Sequence, residues 1–387
     1  VKIGIFADSY KPYVSGVVRS IETFTQELTT LGHQVYIFAP RYPRYRERNS
    51  NVFRFHSFRP PSVPDFSLAI PISARIGATM ARLNLDVVHV HSPFLLGRLG
   101  ANCARRFGLP LVFTYHTLYE QYVHYVPFGQ PFAKDLMVRM SRTFCNRCDL
   151  VVAPTAKVRN LLIEYGVTSP IDIVPTGVDL DRFGDGDPGW LRTSYGIGAQ
   201  EKVLLFVGRL TKEKNLDFLL ESFRLVSERV SPVRLVIVAT GPEEQHLKQL
   251  AENLGIGDRV IFTGYLPTNE LVNCYHGADL FVFPSVTETQ GLVLIEAMAA
   301  GLPVVAVDAY GVSDMVSHGC DGFLVPPEAG EFAERVTAVL QHPELRDQMA
   351  KQAYLKAEQM SSRNMAIRLA CAYETLLEAN GLNRART

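Results

Sequence analysis

Short apolar runs alternate with longer amphipathic segments along most of the chain. KIGIFAD (2–8), QVYIFAP (34–40), VVHVHS (87–92), LVFTYH (111–116) and LVVAPT (150–155) read as buried strands. Segments of helical period lie between them, such as SIETFTQELTTLG (20–32), where Gly32 is a helix stop. The stretch 174-VPTGVDLDRFGDGDPG-189 is dense in Gly, Pro and Asp, follows neither period, and reads as a linker. Beyond it the alternation resumes with KVLLFVG (202–208), RLVIVATG (234–241), VIFTG (260–264), LFVFPS (280–285) and PVVAVD (303–308). The pattern predicts an α/β fold of two Rossmann-like domains in tandem, over residues 1–175 and 176–360. The last amphipathic segment, 361-SSRNMAIRLACAYETLLEAN-380, starts on Ser and is expected to pack as a terminal helix across the linker; it completes the first domain as part of 361–387. Ligands of such sheets bind beyond the carboxyl ends of the strands, so the two domains are expected to face one cleft.

Composition sets limits on this picture. A chain of 387 residues suits two cores, and 47% hydrophobic with 20% charged residues is the balance of a globular protein. No apolar run reaches about 18 residues and no basic-then-apolar leader opens the sequence, so a cytoplasmic protein is expected. Six cysteines (Cys103, Cys145, Cys148, Cys274, Cys320, Cys371) are too few for a disulfide framework in this length. The single CxxC, 145-CNRC-148, has no second pair for zinc and follows an amphipathic run where a redox motif would open a helix; reduced structural cysteines are expected.

The net charge of zero conceals an imbalance. Residues 1–180 carry 20 Lys+Arg and 12 Asp+Glu, whereas 181–387 carry 19 and 27. A basic half suits an anionic partner such as a lipid surface, and no nucleic-acid partner is expected. Arg41, Arg44, Arg46, Arg48, Arg54 and Arg59 face the lone acid Glu47, either as a solvated loop or as an anionic-surface contact. The stretches 66–83 and 132–148 mix apolar residues with Arg and fit both core packing and membrane contact.

Three strand-end loops carry candidate chemistry. In 284-PSVTETQGLVLIEAMAAGLPVVA-306, seven residues separate Glu288 from Glu296. With a helix starting near Gly291, both carboxylates reach one ligand at its N-terminus, and Thr289, Gln290, Gly291 and Leu292 offer amides to an anion. In 207-VGRLTKEKNLDFLLESF-223, Arg209 and Lys214 can clamp a diphosphate, a fork and a point charge five residues apart. In 8-DSYKPYVSGVVRSIE-22, Gly16 lets the backbone approach a phosphate, but the loop is neither GxGxxG nor Walker A and gives no support to a dehydrogenase or an ATPase.

A fourth stretch, 114-TYHTLYEQYVHY-125, sets His116, Glu120 and His124 at intervals of four. On one helix they would span about 12 Å, too far for one metal ion to bind all three. The strings 179-DLD-181 and 185-DGD-187 lie in the linker, away from any strand end, so no metal site is assigned.

Together these segments resemble the retaining glycosyltransferases of family 4, with their GT-B fold and Glu-x7-Glu signature. The resemblance runs from the first loop through 175-PTGVDLDRF-183 to the acidic signature. The YHT-x-YE-x-Y-x-HY stretch and 11-KPYVSGVVRSI-21 look most like the diacylglycerol glucosyltransferases. One departure is Ser15 before Gly16, where many relatives have a second Gly.

The resemblance implies transfer of glucose from UDP-glucose to 1,2-diacylglycerol with retention at the anomeric carbon. It assigns Glu288 to sugar hydroxyls, Glu296 to ribose hydroxyls, Arg209 and Lys214 to the departing diphosphate, and Gly241 and Tyr265 to the nucleotide's surroundings. His116 would sit at the reaction centre, with Tyr10, Tyr119, Glu120, Tyr122, His124 and Tyr125 as the acceptor wall. No tightly bound cofactor is implied; Mg is permitted and not required. The expected setting is the inner face of the cell membrane, bound peripherally to an anionic surface. Alternatives are a related transferase with a phosphatidylinositol or soluble acceptor, and a UDP-sugar 2-epimerase.

Overall fold

The computed structural model describes residues 1–60, 66–121 and 130–381. The chain divides into two compact units, Val1–Gly177 with Ser362–Thr387, and Val178–Ser361.

The first unit is built on a parallel sheet. Its strands are β1 (Lys2–Phe6), β2 (Gln34–Pro40), β3 (Val52–Phe55), β6 (Val87–Val90), β7 (Leu111–Thr114), β8 (Leu150–Ala153) and β9 (Ile171–Ile173), in the order β3-β2-β1-β6-β7-β8-β9. A small antiparallel pair, β4 (Ser57–Phe58) with β5 (Leu68–Ala69), stands apart from it. Successive strand residues alternate between two cores, as the two-residue period requires. Phe6, Phe38, Val88, Val90, Phe113 and Val151 pack on one face. Ile3, Ile5, Ile37, Val87, Val112 and Val152 pack on the other, under Met365, Ala366, Leu369 and Tyr373 of the final helix Ser362–Ala379. That helix therefore belongs to the first unit's core, and its apolar face lies on the sheet instead of across a linker.

The second unit repeats the design. Its strands are β10 (Lys202–Val207), β11 (Val233–Val238), β12 (Val260–Phe262), β13 (Leu280–Phe283), β14 (Val304–Val307) and β15 (Gly322–Val325), in the order β12-β11-β10-β13-β14-β15. An aspartate just before a strand ties down its neighbour in both sheets. Asp86 accepts from Lys2 N at 2.7 Å, Asp149 from Leu111 N at 2.7 Å, and Asp279 from Val203 N at 2.9 Å. Each satisfies an amide that would otherwise lack a ladder partner.

Two segments depart from expectation. The linker stretch contains a helical turn, Leu180–Phe183, because the Asp179 carboxylate accepts from Arg182 N at 3.2 Å and caps it. The arginine-dense stretch contains edge strand β3, and Arg54 is a packing residue. Its guanidinium holds Glu47 at 2.6 Å and lies over the Tyr10 and Tyr45 rings, 5.3 and 5.2 Å from their centroids. Arg41, Arg44, Arg46, Arg48 and Arg59 remain exposed.

Candidate active site

In an open parallel sheet the crevice forms where the strand order reverses. That point is β10/β13 in the second unit and β1/β6 in the first. The loops leaving these strands hold most of the residues singled out in the sequence.

After β10 the chain passes Arg209 and forms a single 3-10 turn, Lys212–Lys214. After β13 it passes Ser285 and Glu288 and enters the helix Leu292–Ala299 through Gly291, whose φ of +80° favours glycine. Lys214 Nζ pairs with Glu288 Oε1, and Ser285 Oγ donates to the same oxygen at 2.9 Å. Gly311 supports this loop from behind: its N–H donates to Glu288 O at 2.9 Å, and a Cβ there would stand 1.9 Å from Thr289 O. Gln290 is buried, and Leu292 opens the helix whose N-terminal end favours an anion. Glu296 is buried one turn on and accepts from the Tyr275 hydroxyl at 3.0 Å, a partner that a buried carboxylate requires.

The remaining second-unit candidates lie further out. Arg209 is exposed and makes no ion pair among the described residues. Gly241 lets the loops after β10 and β11 meet, since a Cβ there would stand 2.2 Å from Leu210 O. Tyr265 is 72% exposed and packs on no core.

In the first unit, His89 and His91 point to one side of β6 and its extension, two residues apart. His89 is buried, with Nδ1 2.6 Å from the Tyr373 hydroxyl and Nε2 2.7 Å from Thr114 Oγ1. His91 stacks between its neighbours, its ring 4.3 Å from His89 and 5.0 Å from His116. Its Nδ1 lies 2.7 Å from His116 Nε2. Burial lowers the pKa of His89 and of His116 to about 3 and that of His91 well below its ordinary value, so all three are neutral at physiological pH. Asp8, after β1, accepts from Ser92 Oγ and from Leu96 N at 2.8 Å; burial raises its pKa.

Gly16 opens the helix Gly16–Thr30, and Ser15 caps it by accepting from Val18 N at 3.3 Å, a use for the departure noted above. Tyr10 is buried in the sheet's core. Tyr119 packs edge-on to Phe94 and Tyr115. Glu120 is buried in the 3-10 turn Tyr119–Gln121, and its Oε2 accepts from Tyr115 at 3.4 Å. Tyr10 and Glu120 are thus interior groups instead of displayed ones. Tyr122, His124 and Tyr125 lie outside the described residues.

Sequence reasoning did not single out His91, Ser285, Tyr275 or Gly311. The first had a signal, two histidines at strand spacing in VVHVHS. The other three become visible only once β13, the helix after it and the turn at Gly311 are brought together.

Two Rossmann-like parallel sheets in tandem, each with polar residues gathered at its switch point, are the GT-B architecture. Residues 191–356 match the family Glycosyl transferases group 1, and residues 14–182 match Glycosyltransferase Family 4. An alpha-monoglucosyldiacylglycerol synthase of Streptococcus pneumoniae is 33% identical over 99% of this chain and 88% of its own length. A protein of the same name from Acholeplasma laidlawii is 29% identical over 98% of both chains. Among solved structures, a sucrose-phosphate synthase from Thermosynechococcus elongatus superposes with TM-score 0.80 at 21% identity, covering 98% of this chain and 99% of that one. Anabaena HepE in complex with UDP-glucose gives 0.76 at 20% identity, covering 97% and 99%. The chain belongs to the family 4 glycosyltransferases and is a hexosyltransferase.

Proposed function

We propose that the protein transfers glucose from UDP-glucose to the free hydroxyl of 1,2-diacylglycerol, with retention at the anomeric carbon. The observation that carries this reading is the similarity to two alpha-monoglucosyldiacylglycerol synthases along nearly the whole chain, acceptor-side segments included. The solved fold relative with bound UDP-glucose is consistent with that donor.

Lys214 and Arg209 neutralise the diphosphate, where charge grows as the sugar departs, and take the part a divalent cation plays elsewhere. Lys214 then exchanges its Glu288 partner for phosphate, and the released carboxylate accepts from sugar hydroxyls. Amides from Thr289 to Leu292 hold the sugar and phosphates, and Glu296 takes the ribose diol. Double displacement would need a carboxylate nucleophile under the anomeric carbon. A front-face route asks less: the leaving phosphate accepts the acceptor's proton, and His116 orients the reacting groups.

The acceptor lies in a bilayer, so the protein works at a membrane surface on the cytoplasmic side. No helix among the described residues is long and apolar enough to cross a membrane. Exposed Phe58, Ile70 and Ile72, near the exposed Arg41 and Arg59 in sequence, suit peripheral contact with an anionic bilayer.

The test is a donor-by-acceptor screen with purified protein, reading lipid products by mass. Glucosyl-diacylglycerol from UDP-glucose is the expected product. A product formed only with phosphatidylinositol or a soluble acceptor overturns the reading, as does interconversion of UDP-sugars with no acceptor consumed.

A further inference from the structure

Two neutral imidazoles that share a hydrogen bond must each choose a tautomer, and here the choice is constrained. The bond joins His91 Nδ1 to His116 Nε2. If His116 donated, neutral His91 would carry its proton on Nε2. That nitrogen is buried and has no hydrogen-bond partner among the described residues. His89, packed against it, cannot help, because both its nitrogens are engaged by Tyr373 and Thr114. A buried N–H without an acceptor costs about 1–3 kcal/mol, and such orphans are rarer than under-used acceptors. The reverse arrangement leaves only a bare lone pair at His91 Nε2.

We propose that His91 is a positioning residue that donates from Nδ1 to His116 Nε2 and so holds His116 in its Nδ1-protonated neutral tautomer. His116 Nε2 is then occupied as an acceptor and Nδ1 carries the ring's only proton. In this state the ring has no lone pair to take a proton from a substrate hydroxyl, so it orients the reacting groups and is not their general base. Tyr373 and Thr114 support the arrangement from below by fixing His89. This deepens the proposed function, in which His116 orients the reacting groups, and rests on it for the catalytic consequence.

The test combines spectroscopy and two variants of the full chain. With 15N-histidine labelling, long-range 1H–15N spectra at pH 7 should show His116 and His91 both protonated at Nδ1, assigned by loss of each signal in His116→Gln and His91→Asn. A His116 protonated at Nε2 overturns the proposal. His91→Asn keeps an amide donor near the Nδ1 position and should retain kcat within about threefold of wild type, whereas His91→Leu should lower kcat on the order of 100-fold at nearly unchanged KM for the nucleotide sugar. Equal losses in the two variants, or a loss confined to KM, overturn it. Should His91→Leu fail to fold, the wild-type spectra decide. The spectra need no acceptor, so a wild type that makes no glucosyl lipid while showing the Nδ1 tautomer refutes the proposed acceptor and leaves the tautomer standing.

Discussion

Tyr275 donates its hydroxyl to Oε2 of Glu296 at 3.0 Å, and both side chains are buried. The carboxylate is therefore oriented before any ligand arrives. Tyr275→Phe removes that donor and should cost about 1–2 kcal/mol of stability by urea unfolding. Glu296→Gln should weaken UDP binding about tenfold in calorimetric titration while changing kcat less, since a ribose contact is made equally in ground and transition states. Unchanged UDP affinity would remove Glu296 from the nucleotide site.

Lys214 and Glu288 form the second coupled pair, with Ser285 on the same oxygen. Lys214→Ala should lower kcat/KM by a factor on the order of 100, the loss expected when one preorganised charge is removed from a leaving group. Glu288→Gln should lose activity comparably, and mass spectrometry of wild-type enzyme quenched during turnover should show no glycosyl adduct on Glu288. An adduct there would replace the front-face route by double displacement.

Gly311 touches the loop that carries both Glu288 and Thr289, where any Cβ would collide with Thr289 O. The obstacle is backbone and cannot rotate away. Gly311→Ala should therefore reduce kcat/KM at least tenfold while the thermal midpoint falls by only a few degrees, because the core beneath is untouched. A variant with wild-type kinetics would show that the loop's position does not matter to the reaction.

Acid should destabilise the protein through its histidines. In the fold burial lowers the pKa of His89 to about 3, against 6.5 for a free side chain, and depresses that of His91 likewise. For a depressed pKa the unfolded chain takes up protons first as the pH falls, so stability is intact above about 6.5 and declines from there towards 3. The buried His89 ring alone should cost about 1 kcal/mol by pH 5.5, and His91 acts in the same direction. Asp8, with its pKa raised, works in the opposite sense nearer pH 4. Urea midpoints measured from pH 7.5 to 5.5 should show the decline, and His89→Gln should reduce its slope by nearly one proton.

Flotation with vesicles containing anionic lipid should carry the protein at low salt and release it as ionic strength rises. Reversing charge at Arg41 and Arg59 should weaken flotation severalfold and leave UDP affinity unchanged. Negligible flotation at low salt would contradict peripheral binding.

The strands of both sheets were legible wherever burial on two faces makes an uninterrupted apolar run, as in KVLLFVG or LFVFPS. Three strands gave no such run. In β3, VFRF is interrupted by Arg54, which is half-buried only because Tyr10, Tyr45 and Glu47 receive it. At the sheet edges, β9 and β15 are short and only partly covered. Among the candidate residues, Glu288, Glu296 and Lys214 stood out because charge is conspicuous beside apolar strand ends and in an apolar helix. Tyr275 and His91 did not, since a tyrosine in a helix and a histidine on a strand look like packing until their partners are known. Nor was the burial of Tyr10 and Glu120 legible, since Arg54 over the Tyr10 ring and Tyr115 beside one oxygen of Glu120 are seen only in the fold.

The helix Ser362–Ala379 belongs to the first unit although an entire second unit separates it from Gly177. On the ribosome this has an unequal effect. The second unit is contiguous and can close as soon as its own residues emerge, whereas the first must wait with one face of its sheet only partly covered, by the helix Gly16–Thr30. Tyr373 reaches His89 only after the whole second unit has been made. Removing Ser362–Ala379 would therefore injure the unit whose sheet is encoded before Gly177, on the far side of the second unit.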